Sequence, residues 1–98
     1  MIIDKLAEII TNILSEYNIN NIQDYISDNV DYYILDCNKI SCILNKDIDL
    51  ILNELVNNID INSEESFIKE IKINDNNDIE FYIKSEEYVK EMLSYMIF

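Results

Sequence analysis

The stretch "QDYISDNVDYYILDCNKISCIL", Gln23 to Leu44, decides the fold, because the apolar period changes inside it. Ile19, Ile22, Ile26 and Val30 recur at steps of three and four, the spacing of one helix face, whereas from Tyr32 the period becomes two. The spacing predicts a short helix that carries the start of the stretch, with Asp24, Asp28 and Asp31 sharing its polar face. A strand then begins at Tyr32. A two-residue turn at Asn38-Lys39 pairs Tyr33 with Leu44, Leu35 with Cys42 and Cys37 with Ile40, all on one face, although Lys39 stands where such a turn prefers glycine. In that register Cys37 and Cys42 are diagonal, roughly 7 to 8 Å apart and outside disulfide range. Two buried free thiols are expected.

Outward from this stretch the patterns are plainer. Ile3, Leu6, Ile10, Ile13, Leu14 and Tyr17 mark an amphipathic helix over about residues 3–17. Asp47 is placed to cap a helix running to about Asn58, with Ile48, Ile51, Leu52, Leu55, Val56 and Ile59 as its apolar stripe. A second hairpin sets Ile71 and Ile73 opposite Phe81 and Ile79 across the loop "NDNND", with Lys72 facing Glu80 on the other side. Ser85 then opens a last helix with Val89, Met92, Leu93, Met96 and Ile97 toward the core. The expected fold is α+β: an N-terminal helix pair followed by two ββα units, a four-stranded antiparallel sheet with helices on one face. The two ββα units align as a weak internal repeat, Asp47 with Ser85, Ile51 with Val89 and Leu55 with Leu93.

Ninety-eight residues suit one domain, residues 1–98, and a hydrophobic fraction of 49% is enough for a folded core. The abundance of isoleucine and asparagine reads as codon bias. The charge does not follow from that bias: seven lysines face twenty acids, giving −13, where an AT-rich gene ordinarily supplies lysine freely. Between Lys5 and Lys39, and again between Lys46 and Lys69, six acids stand without a cation. Such a field repels nucleic acid and anionic membranes and attracts basic partners. No positive-then-apolar leader opens the chain and no apolar run approaches the roughly 20 residues of a membrane span, so an intracellular, cytoplasmic location is expected, the host cell of a virus included.

The chain has no His, Arg or Gly, the residues that most often supply general bases, oxyanion or phosphoryl contacts and backbone nests. Cys37 and Cys42 have no imidazole to activate them, and their spacing is no zinc or redox signature. The run "NDNNDIEFYIKSEE" resembles a calcium loop only at Asn76 and Asp78; Asn74, Ile79 and Ser85 stand where Asp, Gly and Glu are needed. Neither catalytic residues nor a metal or cofactor site is expected. The proposed element order is shared with the LAGLIDADG homing endonucleases, whose namesake helix carries glycines and a metal-binding acid and whose sheet is basic, but this chain has no glycine and its strands carry few lysines.

What remains is a binding surface. Asp24 and Asp28 on a helix stand roughly 6 Å apart, on the scale of successive phosphates, so a row of carboxylates can imitate a nucleic-acid strand. Asp24, Tyr25, Asp28, Asp31, Tyr32 and Asp36 are the candidate contact residues, with the exposed tyrosines as anchors. The expected partner is a basic protein, a nucleic-acid-binding effector in particular. In composition and acidity the chain is similar to phage-borne inhibitors of host defence, such as acidic anti-CRISPR and anti-restriction proteins, without a shared motif. The alternative is an immunity or antitoxin-like protein, or a homodimeric assembly subunit that uses the tail "YMIF", with acidity serving solubility alone.

Overall fold

The apolar spacing of the N-terminus builds α1 (Ile2–Ile13), which buries Ile2, Leu6, Ala7 and Ile10. The expected helix ends early: Ser15–Tyr17 is a 3-10 turn, and Asn18 reverses the chain with φ 54°. The computed structural model describes residues 1–96, continuing with a 3-10 turn at Ile22–Tyr25, β1 (Ile26–Asn29), β2 (Tyr32–Leu35), α2 (Cys37–Leu44) and α3 (Ile48–Asn58). Then follow β3 (Ile68–Ile73), β4 (Ile79–Ile83) and α4 (Ser85–Met96). The class is mixed α+β, with a four-stranded antiparallel sheet in the order β1-β2-β4-β3.

The deciding stretch folds differently from its periodicity. No helix carries Asp24, Asp28 and Asp31; a single 3-10 turn gives way to β1 at Ile26, and Val30, expected on an apolar face, is 96% exposed at the hairpin tip. Ser27, Asp28 and Asn29 are weak helix formers whose side chains compete for backbone hydrogen bonds, and β1 is paired instead with β2, Ile26 opposite Leu35 and Asp28 opposite Tyr33. The hairpin is therefore one segment upstream of the expected one.

Residues 37–44, expected as its second strand, form α2. Asp36 caps that helix, Oδ1 accepting the Lys39 N–H at 3.1 Å, and Cys37, Ile40 and Leu44 turn inward at helical steps. Asn45 ends it with φ 52°, and the Lys46 N–H closes on the Ser41 carbonyl. The ββα repeat does not survive, since the first hairpin is followed by two helices. Cys37 and Cys42 are both free, but only Cys37 is buried; one helical turn and a half puts Cys42 on the exposed side.

The second hairpin has the expected register: Ile71 faces Phe81, Lys72 faces Glu80 and Ile73 faces Ile79, with a bulge between Ile68 and Glu70. Central pairing of β2 with β4 places Tyr33 beside Phe81 and Leu35 beside Ile79, and these four are buried on one sheet face. Ile34, Glu80, Tyr32 and Tyr82 alternate to the other face and are half-buried. All buried apolar residues join one cluster, which includes Ile51, Leu52, Leu55 and Ile59 of the α3 stripe.

The last helix departs from its expected role. Val89, Met92 and Leu93 are 54%, 62% and 51% exposed, so the stripe assigned to the core faces outward; its members Met96 and Ile97 lie outside the residues whose surroundings are described. Among the described residues no helix is long and apolar enough to cross a membrane.

With no glycine in the chain, the left-handed positions fall to asparagine: Asn18, Asn21, Asn45 and Asn77 are the positive-φ residues among those described. Asparagine tolerates that region better than other side chains with a Cβ. Part of the asparagine content is thus structural.

Candidate protein-binding surface

The six candidate contact residues divide between the two ends of the first hairpin. At one end Asp28 and Asp31 are exposed beside the Val30 tip, and Tyr32 starts the outer row of β2. At the other, Asp24 is exposed on the 3-10 turn, Tyr25 is half-buried with Lys39 Nζ 5.8 Å from its ring centroid, and Asp36 is occupied in capping α2. The carboxylates do not form the single helical row that phosphate-like spacing requires.

Tertiary packing brings a different set together. Tyr33 of β2 and Tyr88 of α4 both lie in the field of Asp28 and Glu91, and Tyr88 also in that of Asp31. Burial pushes the Tyr33 phenol up to about 12, with Asp28 and Glu91 adding to the rise. Burial likewise raises Tyr88, followed by the fields of Asp28, Asp31 and Glu91. Glu91 comes from the far end of the chain, and no periodicity around Asp28 signals it.

Five of the seven lysines, Lys5, Lys39, Lys46, Lys72 and Lys90, lie against an aromatic ring or a carboxylate of the protein itself. Lys5 Nζ lies 2.9 Å from Glu87 Oε2 and 5.5 Å from the Phe67 ring centroid, and Lys90 Nζ is 3.4 Å from Glu87 Oε1. Lys46 stands over Tyr17 at 5.8 Å and Lys72 over Tyr82 at 5.1 Å. The Lys5 ammonium, opposed by burial and assisted by Lys90, holds the Glu87 carboxyl below its ordinary range. Among the described residues the carboxylates within ion-pair distance of a cation are Asp4, Glu70 and Glu87. The other described acids have no cation within that distance.

Elsewhere the polar groups serve the backbone. Asn74 Oδ1 accepts the N–H groups of Asn76 and Asp78 at 2.9 and 3.0 Å, closing the β3–β4 loop on itself. Asp60 Oδ1 accepts from Asn62 and Ser63, while Ser66 Oγ donates to the Asp60 carbonyl. These bonds organise the shallow depression lined by Asp60, Ser63, Glu65 and Ser66. Among the described residues no group of three or more His, Cys, Asp or Glu is arranged to hold a metal ion. Burial pushes the Cys37 thiol up to about 12; a backbone hydrogen bond from Ile79 opposes this, and Asp78 and Asp36 add to it. Its thiolate is therefore suppressed although it heads a helix. In comparison with known proteins, the chain matches no family model, no curated protein and no solved structure.

Proposed function

We propose that this is a non-catalytic binding protein whose carboxylate surface, spread over the first hairpin and the adjoining flank of α4, enters the basic groove of a nucleic-acid-binding protein and competes with nucleic acid there. The observation that supports this reading is the division of charge. Lysines fold back onto tyrosines, Phe67 and Glu87, while Asp24, Asp28 and Asp31 face solvent without a cation. An anionic ligand for a protein needs that arrangement, since a lysine reaching out beside each acid would screen the field that steers association. Asp28 also sits on an edge strand, where charge opposes addition of a further strand and leaves the edge free for side-chain contacts. The reading places the site of action inside a cell, with its partner.

The test is capture from a cell lysate on immobilised protein, with stepwise salt and with duplex DNA or single-stranded RNA as competitor. Basic nucleic-acid-binding proteins released by either competitor support the reading. Partners that nucleic acid does not displace count against it.

A second reading rests on α4. Val89, Met92 and Leu93 leave an apolar strip uncovered, which suits a protein–protein contact of the immunity or antitoxin kind, or self-association, with acidity serving solubility. The tail "YMIF" lies outside the residues whose surroundings are described. Sedimentation of the wild type against Met92→Lys separates the two: dissociation of a dimer by that substitution favours self-association.

A further inference from the structure

The sheet face turned away from the core carries a compact group that the acidic-surface reading does not use. Tyr32 and Tyr82 stand side by side with ring centroids 5.2 Å apart and planes tilted by 34°. Glu70 lies opposite Tyr82 on β3, and Glu80, opposite Ile34, accepts the Tyr82 hydroxyl at 2.8 Å. That hydrogen bond, before burial and the Glu80 charge, raises the Tyr82 phenol to about 12. Lys72 extends over this group, its Nζ 5.1 Å from the Tyr82 centroid and 3.9 Å from Glu70 Oε1. The ammonium thus sits at the outer limit of an ion pair, on an exposed side chain.

We propose that the outer sheet face formed by Tyr32, Tyr82, Glu70 and Glu80 is a docking site for an arginine side chain of a basic protein, and that Lys72 occupies it as a displaceable internal cation. The inference rests on the reading of the protein as an acidic ligand and names the partner group. Charge complementarity and the resident cation identify the occupant: the site already holds a positive group against a tyrosine face beside the Glu70 carboxylate. A guanidinium fits better than an ammonium, because it is planar, stacks on the ring and presents a fork of donors to a carboxylate. Glu70 makes no hydrogen bond within the described residues that such a fork would have to break. A mobile lysine is easily displaced, since an exposed ion pair of this length contributes little.

The experiment titrates the full-length protein with a nine-residue arginine peptide and a nine-residue lysine peptide at the same ionic strength, by calorimetry. The wild type is expected to bind the arginine peptide roughly five- to tenfold more tightly, the scale of one partly desolvated cation–π contact. Tyr82→Leu is expected to abolish the preference while keeping lysine-level binding, and Lys72→Ala to strengthen arginine binding. Glu70→Gln, which leaves both rings in place, is expected to weaken the preference even if Tyr82→Leu does not fold. Equal wild-type affinity for the two peptides overturns the arginine site and leaves the acidic-surface reading standing. Absence of binding to either peptide overturns both.

Discussion

The backbone N–H of Ile2 donates to Glu91 Oε1 at 3.1 Å, joining the first turn of α1 to α4 across 89 positions of sequence. Met1 provides no side-chain cap, so a carboxylate from the other end of the chain stands at the positive end of α1. Lys5, one turn along, reaches Glu87, one turn back, at 2.9 Å. The same Glu91 belongs to the carboxylate group with Asp28 and Asp31, so its charge serves helix docking and the surface field together. Glu91→Ala is expected to lower stability by about 0.5–2 kcal/mol in urea unfolding, and Glu91→Gln by less, because the amide oxygen still accepts. An alanine variant as stable as the wild type removes the cap from the account.

Asp78 offers a stabilising substitution. Its Oδ1 is buried without a hydrogen-bond partner, and its carboxyl is raised above the usual 3.8 by burial and then by Asp36, against a hydrogen bond from the Cys37 backbone. A raised folded value means that the protonated form favours the fold; that contribution is present in acid and lost as pH rises through the folded value. Asp78→Asn is therefore expected to raise stability at pH 7 by about 0.5–1 kcal/mol, a figure kept small by solvent screening. The gain should shrink toward pH 4, because falling pH favours the protonated form of the wild-type carboxyl. A gain that is the same at both pH values would remove titration of Asp78 as its cause.

The two thiols should differ in reactivity. Cys42 is exposed and Cys37 is buried with its thiol pushed up to about 12. One equivalent of a disulfide reagent is expected to react at once with the native protein and the second only on unfolding. Rapid reaction of both in the native state places Cys37 outside the core.

Core and surface leucines separate the helices. Leu55 on α3 is fully buried, and Leu55→Ala should cost about 2–5 kcal/mol. Leu93 on α4 is half exposed, and Leu93→Ala should fall within about 0.5 kcal/mol of the wild type. A large loss at Leu93 shows that α4 buries its apolar strip.

Charge position can be separated from total charge. Asp24, Asp28 and Asp31 are exposed, and so are Glu8, Asp49 and Glu64 on other parts of the surface. Glu87 and Glu91 are unsuitable controls, being tied to Lys5 and to the α1 terminus. Neutralising the first three is expected to weaken salt-sensitive partner binding much more than neutralising the second three. Equal losses reduce the surface to net charge alone.

Periodicity established α1, α3 and the second hairpin down to its register, because each is an uninterrupted run of one period with a matching partner: Lys72 does face Glu80, and Ile51, Leu52 and Leu55 are buried. Within residues 22–44 only the strand that begins at Tyr32, with Tyr33 and Leu35 inward, is legible in that way. Runs of four to eight residues fit a strand and a helix face equally: Ile22 and Ile26 at a helical step sit on a 3-10 turn and a strand, and Cys37, Ile40 and Leu44 serve a helix where alternation also fitted. Long-range partners decided between them, β4 by taking Tyr33 and Leu35 as neighbours and Asp36 by capping α2 rather than continuing the strand. The position of α4 belongs to the same class. An amphipathic stripe shows that a helix can bury a face, but whether it finds a partner is set by tertiary packing, and here Val89, Met92 and Leu93 remain half exposed or more. The common field of Asp28, Asp31 and Glu91 at Tyr88 follows from that packing, since no local pattern can report groups some sixty positions apart that act on one ring.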